Sequence, residues 1–199
     1  FQQSLVTFVL FALFIVPLTF ACSLGLALLL QRITVARAFF RSVFFLPTAV
    51  SYVIASMVWR MSFFNGARFG LANTLLSAFG LAPVNWLGGE NTWYWFVLVT
   101  LRLWLQVGFY MILFIAGLNR IDPELYEAAE LDGAGAWARF RFVTWPLLRP
   151  TSVAVSMLLA FNAFQAFDEF YNTLTTASGY PPYARPPLVY LRSEERRVG

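Results

Sequence analysis

The fold is decided first by residues 5–30, which read LVTFVLFALFIVPLTFACSLGLALLL. No charged residue occurs between Phe1 and Gln31. A transmembrane helix needs about 20 mainly apolar residues, whereas the apolar region of a secretory signal peptide has only about 7–15. The stretch therefore predicts a membrane-spanning helix, and Pro17 is expected to kink it.

The composition extends this conclusion to the whole chain. Of the 199 residues, 59% are hydrophobic and 12% are charged; soluble domains carry about 25% charged residues. The abundance of Phe and Trp excludes a disordered protein. The chain has no His and one Cys, Cys22, which excludes His-based catalysis, disulfide frameworks and Cys/His zinc sites. The net charge of +4 is dispersed, so we expect no nucleic acid, no metal and no cofactor.

Further apolar segments predict a polytopic membrane protein. After the first span come apolar runs at 42–59, which contains Pro47, at 93–118 and at 151–174. Residues 69–79 are amphipathic but too short to span, and they are interpreted as an interfacial helix. The predicted fold class is an all-α transmembrane helical bundle with four complete spans.

The arginines predict the orientation of the spans. Seven of them follow the first and third spans: Arg32, Arg37, Arg41, Arg120, Arg139, Arg141 and Arg149. Short loops on the cytoplasmic side carry the excess of basic residues. Residues 119–150 are therefore expected to face the cytoplasm, and Phe1 to lie outside.

The segment 119–150 contains signals for two short helices. Asp122-Pro123-Glu124 is typical of a helix start, with Asp as the N-cap and Pro at the first helical position. This helix should run through Leu131, and Gly133 should stop it or turn a tight corner. A second helix is predicted over 136–144, with Pro146 marking its exit.

The spacing within this segment carries a family resemblance. Glu127-Ala128-Ala129 is followed by Gly133, then by Val143, Trp145 and Pro146. The segment resembles the signature of permease subunits of ATP-binding-cassette importers, which is Glu-Ala-Ala, three residues, Gly, nine residues, Ile, one residue and Leu-Pro. Val143 replaces Ile, and Trp145 departs from the usual Leu.

Other segments narrow the resemblance to the carbohydrate-type permeases of binding-protein-dependent importers. They are residues 41–47 (RSVFFLP), 85–88 (NWLG), 124–127 (ELYE) and 164–168 (FQAFD). The resemblance covers residues 1–190, and such permeases usually have six spans. It implies that 1–191 is a transmembrane permease domain truncated at both ends, with 119–150 as its cytoplasmic coupling loop. Residues 192–199 are either a charged cytoplasmic tail or non-native adaptor sequence.

The resemblance also implies partners and a location. The chain would be a non-catalytic subunit in a bacterial or archaeal cytoplasmic membrane, in contact with lipid. It would work with ATPase subunits, a second permease subunit and an extracytoplasmic solute-binding protein. The residues implied in docking onto the ATPase subunit are Glu127, Ala128, Ala129, Gly133, Val143 and Pro146.

Polar groups near the end of the fourth span suggest contacts with a sugar-like substrate. Gln165, Phe167, Asp168 and Tyr171 offer hydrogen-bonding groups and ring faces, and the alternative for them is ordinary helix packing. Arg102 lies inside the third span, where a charge is costly. Such a residue is a candidate for a functional role; the alternatives are that its side chain reaches the membrane surface or pairs within the bundle.

Several alternatives remain open at this point. The solute could instead be an amino acid, a peptide or phosphate. A non-transport assembly protein would not need the Glu-Ala-Ala segment. An intramembrane enzyme is disfavoured because His and the Gly-x-Ser-x-Gly nucleophile motif are absent. The chain also lacks a phosphate-binding loop of the Walker type, so it is not expected to bind ATP itself.

Overall fold

The computed structural model describes residues 2–33, 35–65, 70–87, 93–166 and 168–174. These residues form helices and no strand, as the predicted all-α fold class requires. Phe167 and the segment 175–199, which includes the predicted end of the permease domain and the tail, lie outside the described residues. The α-helices are α1 (Gln2–Arg32), α2 (Arg37–Phe45), α3 (Tyr52–Val58), α4 (Leu71–Ala78), α5 (Tyr94–Leu118), α6 (Pro123–Leu131), α7 (Ala136–Arg139), α8 (Trp145–Phe164) and α9 (Asp168–Leu174).

Within the described ranges, three helical stretches are long and apolar enough to cross a membrane: Val9–Arg32, Tyr94–Leu118 and Ala136–Phe164. The first and second of these agree with the spans predicted around residues 5–30 and 93–118. A fourth is obtained if two helical pieces, Arg37–Ala49 and Tyr52–Phe63, together form one broken span. When this broken pair is counted as one span, the predicted bundle of four spans is confirmed.

The second predicted span, at 42–59, is not the single helix that its apolar run suggested. The chain bends by 97° between Arg37–Ala49 and Tyr52–Phe63. Pro47 lies in a 3-10 turn, Leu46–Ala49, and it cannot donate a backbone hydrogen bond to continue a helix. Ser51 then caps the next helix, because its hydroxyl accepts a hydrogen bond from the Val53 amide at 3.3 Å.

The predicted end of the second loop helix at Pro146 is wrong. Helix α7 passes through a π-helical turn, Phe140–Thr144, directly into α8. In a regular helix the ring of Pro146 would collide with the carbonyl four residues earlier, and a widened turn just before it relieves that conflict. Residues 136–164 are therefore one continuous helical stretch that begins well before the expected residue 151.

The predicted fourth span is also wrong at its far end. Helix α8 stops at Phe164, and a separate short helix, α9, begins at Asp168. Residues 151–174 thus contain a break close to Gln165. This break separates polar side chains that the sequence placed on one continuous helix.

Contacts divide the chain into two compact units. The first contains the described parts of 1–15, 48–105 and 162–199. Its core is built on helices α3 and α5 with the loop around Trp86, and its buried members are Ala55, Trp59, Phe64, Trp86, Val97, Leu101 and Leu105.

A buried amide fixes the loop of the first unit. The Asn73 side-chain oxygen accepts hydrogen bonds from the Trp86 indole at 2.9 Å and from the Val84 amide at 3.0 Å. Its side-chain nitrogen donates to the Val84 carbonyl at 3.1 Å. Helix α4, which agrees with the short amphipathic helix predicted at 69–79, is thereby tied to residues 84–86.

The second unit contains residues 16–47 and 106–161. Aromatic and aliphatic side chains of α1, α5 and α8 form its core, including Leu24, Leu30, Tyr110, Phe114, Leu118, Leu148 and Val155. Gly108 allows the end of α2 to approach α5 closely. A Cβ at this position would lie 1.8 Å from the carbonyl oxygen of Phe44.

This close approach makes Gly108→Ala a test of the packing in the second unit. Because the added methyl group meets backbone and not a mobile side chain, we expect a loss of about 1–3 kcal/mol in the free energy of unfolding. Gly25→Ala is the matched control, since no atom lies within 4 Å of its added Cβ. Thermal unfolding in detergent measures both variants, and equal stability of the two would contradict this packing.

Candidate functional site

Helix α6 begins as its sequence predicts. The side chain of Asp122 accepts a hydrogen bond from the Glu124 amide at 3.0 Å, and Pro123 occupies the first turn. Glu124 adds a negative charge near the positive end of the helix dipole. The helix that carries Glu127 is thus fixed at its start by local chemistry.

The end of α6 is fixed equally well. Gly133 has a φ of +77°, in the left-handed region that glycine adopts without a Cβ clash. Its amide donates to the Glu130 carbonyl at 3.0 Å, and the Ala134 amide donates to the Ala129 carbonyl at 2.9 Å. This pair of bonds is a Schellman motif, so the corner predicted at Gly133 is confirmed.

Two side-chain contacts hold α6 against the helix that follows. The hydroxyls of Tyr126 and Thr144 are hydrogen-bonded at 3.1 Å. Arg139 forms an ion pair with Glu130 at 3.2 Å. The ion pair is solvent-exposed and contributes little by itself, whereas Thr144 is buried. The hydrogen bond between Tyr126 and Thr144 is therefore the firmer connection between α6 and the π-helical turn.

The residues predicted to dock onto an ATPase subunit differ in exposure. Glu127, Ala128 and Gly133 are exposed, and Ala129 is half-buried. Val143 and Pro146 are also half-buried and belong to the continuous helical stretch at 136–164. Glu127, Ala128 and Gly133 are therefore accessible to another protein, whereas Val143 and Pro146 lie within the continuing helix.

Sequence reasoning missed three apolar side chains in the same segment. Leu131 is 90% exposed, Trp137 is 74% exposed and Phe142 is 76% exposed. Large exposed apolar groups mark surfaces that bind other proteins or lipid. Their occurrence in the most charged internal part of the chain was a signal available from the sequence. We use the name coupling face, after the role that the sequence resemblance implies, for four exposed residues of this segment: Glu127, Ala128, Leu131 and Trp137.

A cavity of about 760 Å³ lies beside α6 in the second unit. Arg32 and Gln31 line it from the end of α1, Tyr126 from α6, and Trp137 and Arg139 from α7. None of the predicted docking residues lines it. Its walls include the same Tyr126 and Arg139 that hold α6 in place.

The residues predicted to contact a sugar lie around the break between α8 and α9. Gln165, Asp168 and Tyr171 are exposed, whereas the opposite face of α9 is buried: Glu169, Phe170, Thr173 and Leu174. Phe167 lies outside the described residues. Asp168 and Tyr171 therefore lie on the exposed side of α9, and Gln165 is exposed at the break before it.

Arg102 pairs within the bundle and does not reach the surface. Its side chain forms an ion pair with Glu169 and donates a hydrogen bond to the Asn162 carbonyl. The guanidinium also lies over the rings of Phe11, at 5.5 Å, and Tyr52, at 5.9 Å. Glu169 is buried as completely as Arg102, at 2% exposure.

The fixed geometry of Gly133 gives the first test of this site. Gly133→Ala forces a Cβ into the left-handed region at a cost of about 1–2 kcal/mol. We expect hydrogen exchange at the Ala134 amide to become about tenfold faster, since 1.36 kcal/mol corresponds to that factor. Gly135→Ala is the control, because its φ of −66° suits alanine and its added Cβ has open space. Equal exchange in both variants would contradict the assigned turn.

Comparison with known proteins places these features in a context. A family profile described as "Binding-protein-dependent transport system inner membrane component" matches residues 3–181. The trehalose/maltose transport permease MalF of Thermococcus litoralis is 34% identical over 171 residues, covering 86% of this chain and 57% of that protein. The lactose transport permease LacF of Rhizobium radiobacter is 33% identical over 184 residues, covering 91% of this chain and 60% of that protein.

The arabinooligosaccharide transport permease AraP of Bacillus subtilis is 34% identical over 156 residues, covering 78% of this chain and 48% of that protein. This chain thus spans between 48% and 60% of the length of these three relatives. Among solved structures, a bacterial ABC transporter that imports the polysaccharide alginate superposes with a TM-score of 0.82 at 24% identity. The superposition covers 98% of this chain and 66% of that one.

A second structure of a bacterial alginate transporter, in complex with a periplasmic protein that holds an alginate pentasaccharide, superposes with a TM-score of 0.83. It too is 24% identical in sequence and covers 99% of this chain. At this identity the similarity establishes the shared fold.

Proposed function

This chain belongs to the family of inner membrane components of binding-protein-dependent transport systems, and on that premise we propose that it serves as the membrane-spanning permease subunit of an ATP-driven importer. The observation that carries the proposal is helix α6, capped at both ends and presenting Glu127 to solvent. The chain would form part of the translocation pathway and leave ATP hydrolysis to partner subunits.

The coupling face is suited to docking onto an ATPase subunit. Glu127 supplies a charge, Ala128 allows close approach, and Leu131 with Trp137 supplies apolar area. Interfaces gain most of their affinity from a few well-buried aromatic and apolar anchors. We therefore assign Trp137 and Leu131 the anchoring role, and Glu127 the role of setting register and orientation.

The continuous helix gives this docking a mechanical consequence. Helix α6 is bonded to the π-helical turn through Tyr126 and Thr144, and that turn continues into α8. A push on α6 would therefore act on a helix that is long and apolar enough to cross the membrane. Closure of the ATPase subunits would in this way reorient the spans between inward-open and outward-open states.

The proposed cargo is a sugar or a related polyol. Relatives of this chain are named for transport of arabinooligosaccharides, trehalose and maltose, and lactose. Sugars present many hydroxyl groups and apolar ring faces. The exposed amide of Gln165, the carboxylate of Asp168 and the ring of Tyr171 match both features, and we assign them to the solute pathway together with Phe167.

The same reasoning supplies the partners. Such a subunit would require a second permease, ATPase subunits on the cytoplasmic side, and a solute-binding protein outside. The structural relative that was solved with a sugar-loaded periplasmic protein supports the last of these. Residues 119–150 would then face the cytoplasm, as the arginine distribution predicts.

Docking is tested by Glu127→Lys and Trp137→Glu in the assembled transporter. Each variant removes a proposed contact, and we expect the amount of co-purified ATPase subunit to fall by about tenfold, as for the loss of an interface hot spot. Asp132→Lys is the control, since it makes the same charge change at an exposed C-terminal position where a cation is favoured. Co-purification unchanged in both test variants would refute the docking role.

The solute pathway is tested by Gln165→Ala and Asp168→Asn in proteoliposomes. Uptake of radiolabelled maltose, trehalose, lactose and arabinotriose is measured, with Asn119→Ala as a control at an exposed amide in another loop. Loss of one good hydrogen bond to the solute should slow uptake about tenfold. If the sugars are transported at the control rate by both variants, these residues do not contact the solute. Uptake of amino acids, peptides or phosphate in place of every sugar would show the cargo to be of another class.

A further inference from the structure

A charged residue is buried inside the apolar helix α5. Arg102 is only 2% exposed and lies within the span-length helix Tyr94–Leu118. A charge at membrane depth is expensive, and such residues face the protein interior and mark functional positions. The proposed docking and pathway roles make no use of Arg102, so its buried charge needs a separate explanation.

The guanidinium of Arg102 bridges the break between α8 and α9. One of its nitrogens donates to the carbonyl of Asn162, in the last turn of α8. The other pairs with the carboxylate of Glu169, in the first turn of α9. Arginine holds its donors in a rigid planar fork, so one side chain fixes the ends of both helices across residues 165–167.

Two aromatic rings fix the guanidinium itself. Phe11 of α1 and Tyr52 of α3 lie under it at 5.5 Å and 5.9 Å. Cation–π contacts of this kind are stronger when the cation is desolvated. The Phe11 ring also packs edge-on against Phe170, the neighbour of Glu169, with centroids 5.0 Å apart. Arg102 is therefore held in one position, and α9 is anchored to it through Glu169.

Helix α9 needs such an anchoring contact because it is too short to be stable by itself. It has seven residues, and isolated helices shorter than about 12–15 residues are marginal. Apolar burial of Phe170 and Leu174 is not directional, so it would tolerate some rotation of α9 about its axis. An ion pair at Glu169 permits one rotation. That rotation leaves Asp168 and Tyr171 on the exposed side.

We propose that Arg102 and Glu169 are positioning residues for the solute pathway, which fix the rotation of α9 and thereby the orientation of Asp168 and Tyr171. This proposal rests on the proposed transport function. It extends that function by assigning the pathway geometry to a buried pair that touches no solute. Buried ion pairs often contribute little net stability and can be replaced by apolar residues of similar volume. A role in positioning and a role in stability are therefore separable.

The separation uses two reporter cysteines in a Cys22→Ser background of the assembled transporter. Asp168→Cys lies on the exposed face of α9, and Thr173→Cys lies on the buried face. With the pair intact, a water-soluble maleimide should label position 168 and spare position 173, since thiol reactivity follows access. The double variant Arg102→Leu with Glu169→Leu removes both charges and keeps apolar volume. Arg149→Leu is the control at an exposed arginine.

In the double variant we expect labelling at position 173 to rise by at least about tenfold, as for a group that moves from buried to exposed. Uptake of maltose, trehalose, lactose and arabinotriose should fall by about tenfold or more, as when reacting or binding groups are misplaced. Co-purified ATPase subunit should stay unchanged, because the coupling face is not altered. Arg102→Lys, which keeps the charge without the fork, should give intermediate labelling.

Protection of position 173 in the double variant would overturn the proposal, because α9 would then hold its rotation without the pair. Failure of the double variant to assemble would also overturn it, because the pair would then be required for folding and not for the rotation of α9. Increased labelling with normal uptake would overturn the link to transport. Normal uptake in Gln165→Ala and Asp168→Asn would refute the assigned pathway contacts and with them the link to transport, whereas labelling at position 173 tests the rotation of α9 separately.

Discussion

The hydrocarbon core of a membrane offers no water to backbone amides and carbonyls, and the rest of this structure depends on that constraint. Each unpaired backbone group at that depth would cost several kcal/mol, so the chain crosses as helices. Beside two prolines of the described residues, the regular helix gives way to another arrangement. At Pro47 it is a 3-10 turn followed by the Ser51 cap, and before Pro146 it is a π-helical turn.

The segment between the third and fourth spans runs directly into a helix of span length. The sequence predicts two short helices between the third and fourth spans, and the structure joins the second of them to α8 without a gap. Helix α6, which carries Glu127, is connected by one hydrogen bond to the π-helical turn, and that turn leads into a helix of span length. Under the proposed docking, a movement of α6 would be passed directly to this helix.

How much could be predicted from the sequence depends on the range of the interaction. Asp122 and Gly133 act within a few residues of themselves, and the cap and the corner that they form were predicted correctly. The prolines show where prediction stops. Pro17 lies inside a continuous helix, Pro47 lies at a 97° bend, and Pro146 follows a π-helical turn within a continuous stretch. These outcomes depend on which neighbours cover the freed carbonyl groups, and local sequence does not specify those neighbours.

The pairing of Arg102 with Glu169 was unpredictable for the same reason. The two residues lie far apart in the chain, and the sequence left two expectations for Arg102, one at the surface and one within the bundle. Only the packing of α9 against α5 decides between them. By contrast, Leu131 and Trp137 could have been identified from the sequence, because they are large apolar side chains in a charged segment.

The central claim is that the exposed side of α6 is the surface that meets the ATPase subunit. It is tested most directly by a fluorescent label on Ala128→Cys, in a Cys22→Ser background, in a reconstituted transporter that hydrolyses ATP. If the claim holds, the label becomes shielded from a water-soluble quencher when the ATPase subunit binds. A label that stays as accessible in the active complex as in the permease alone would contradict it.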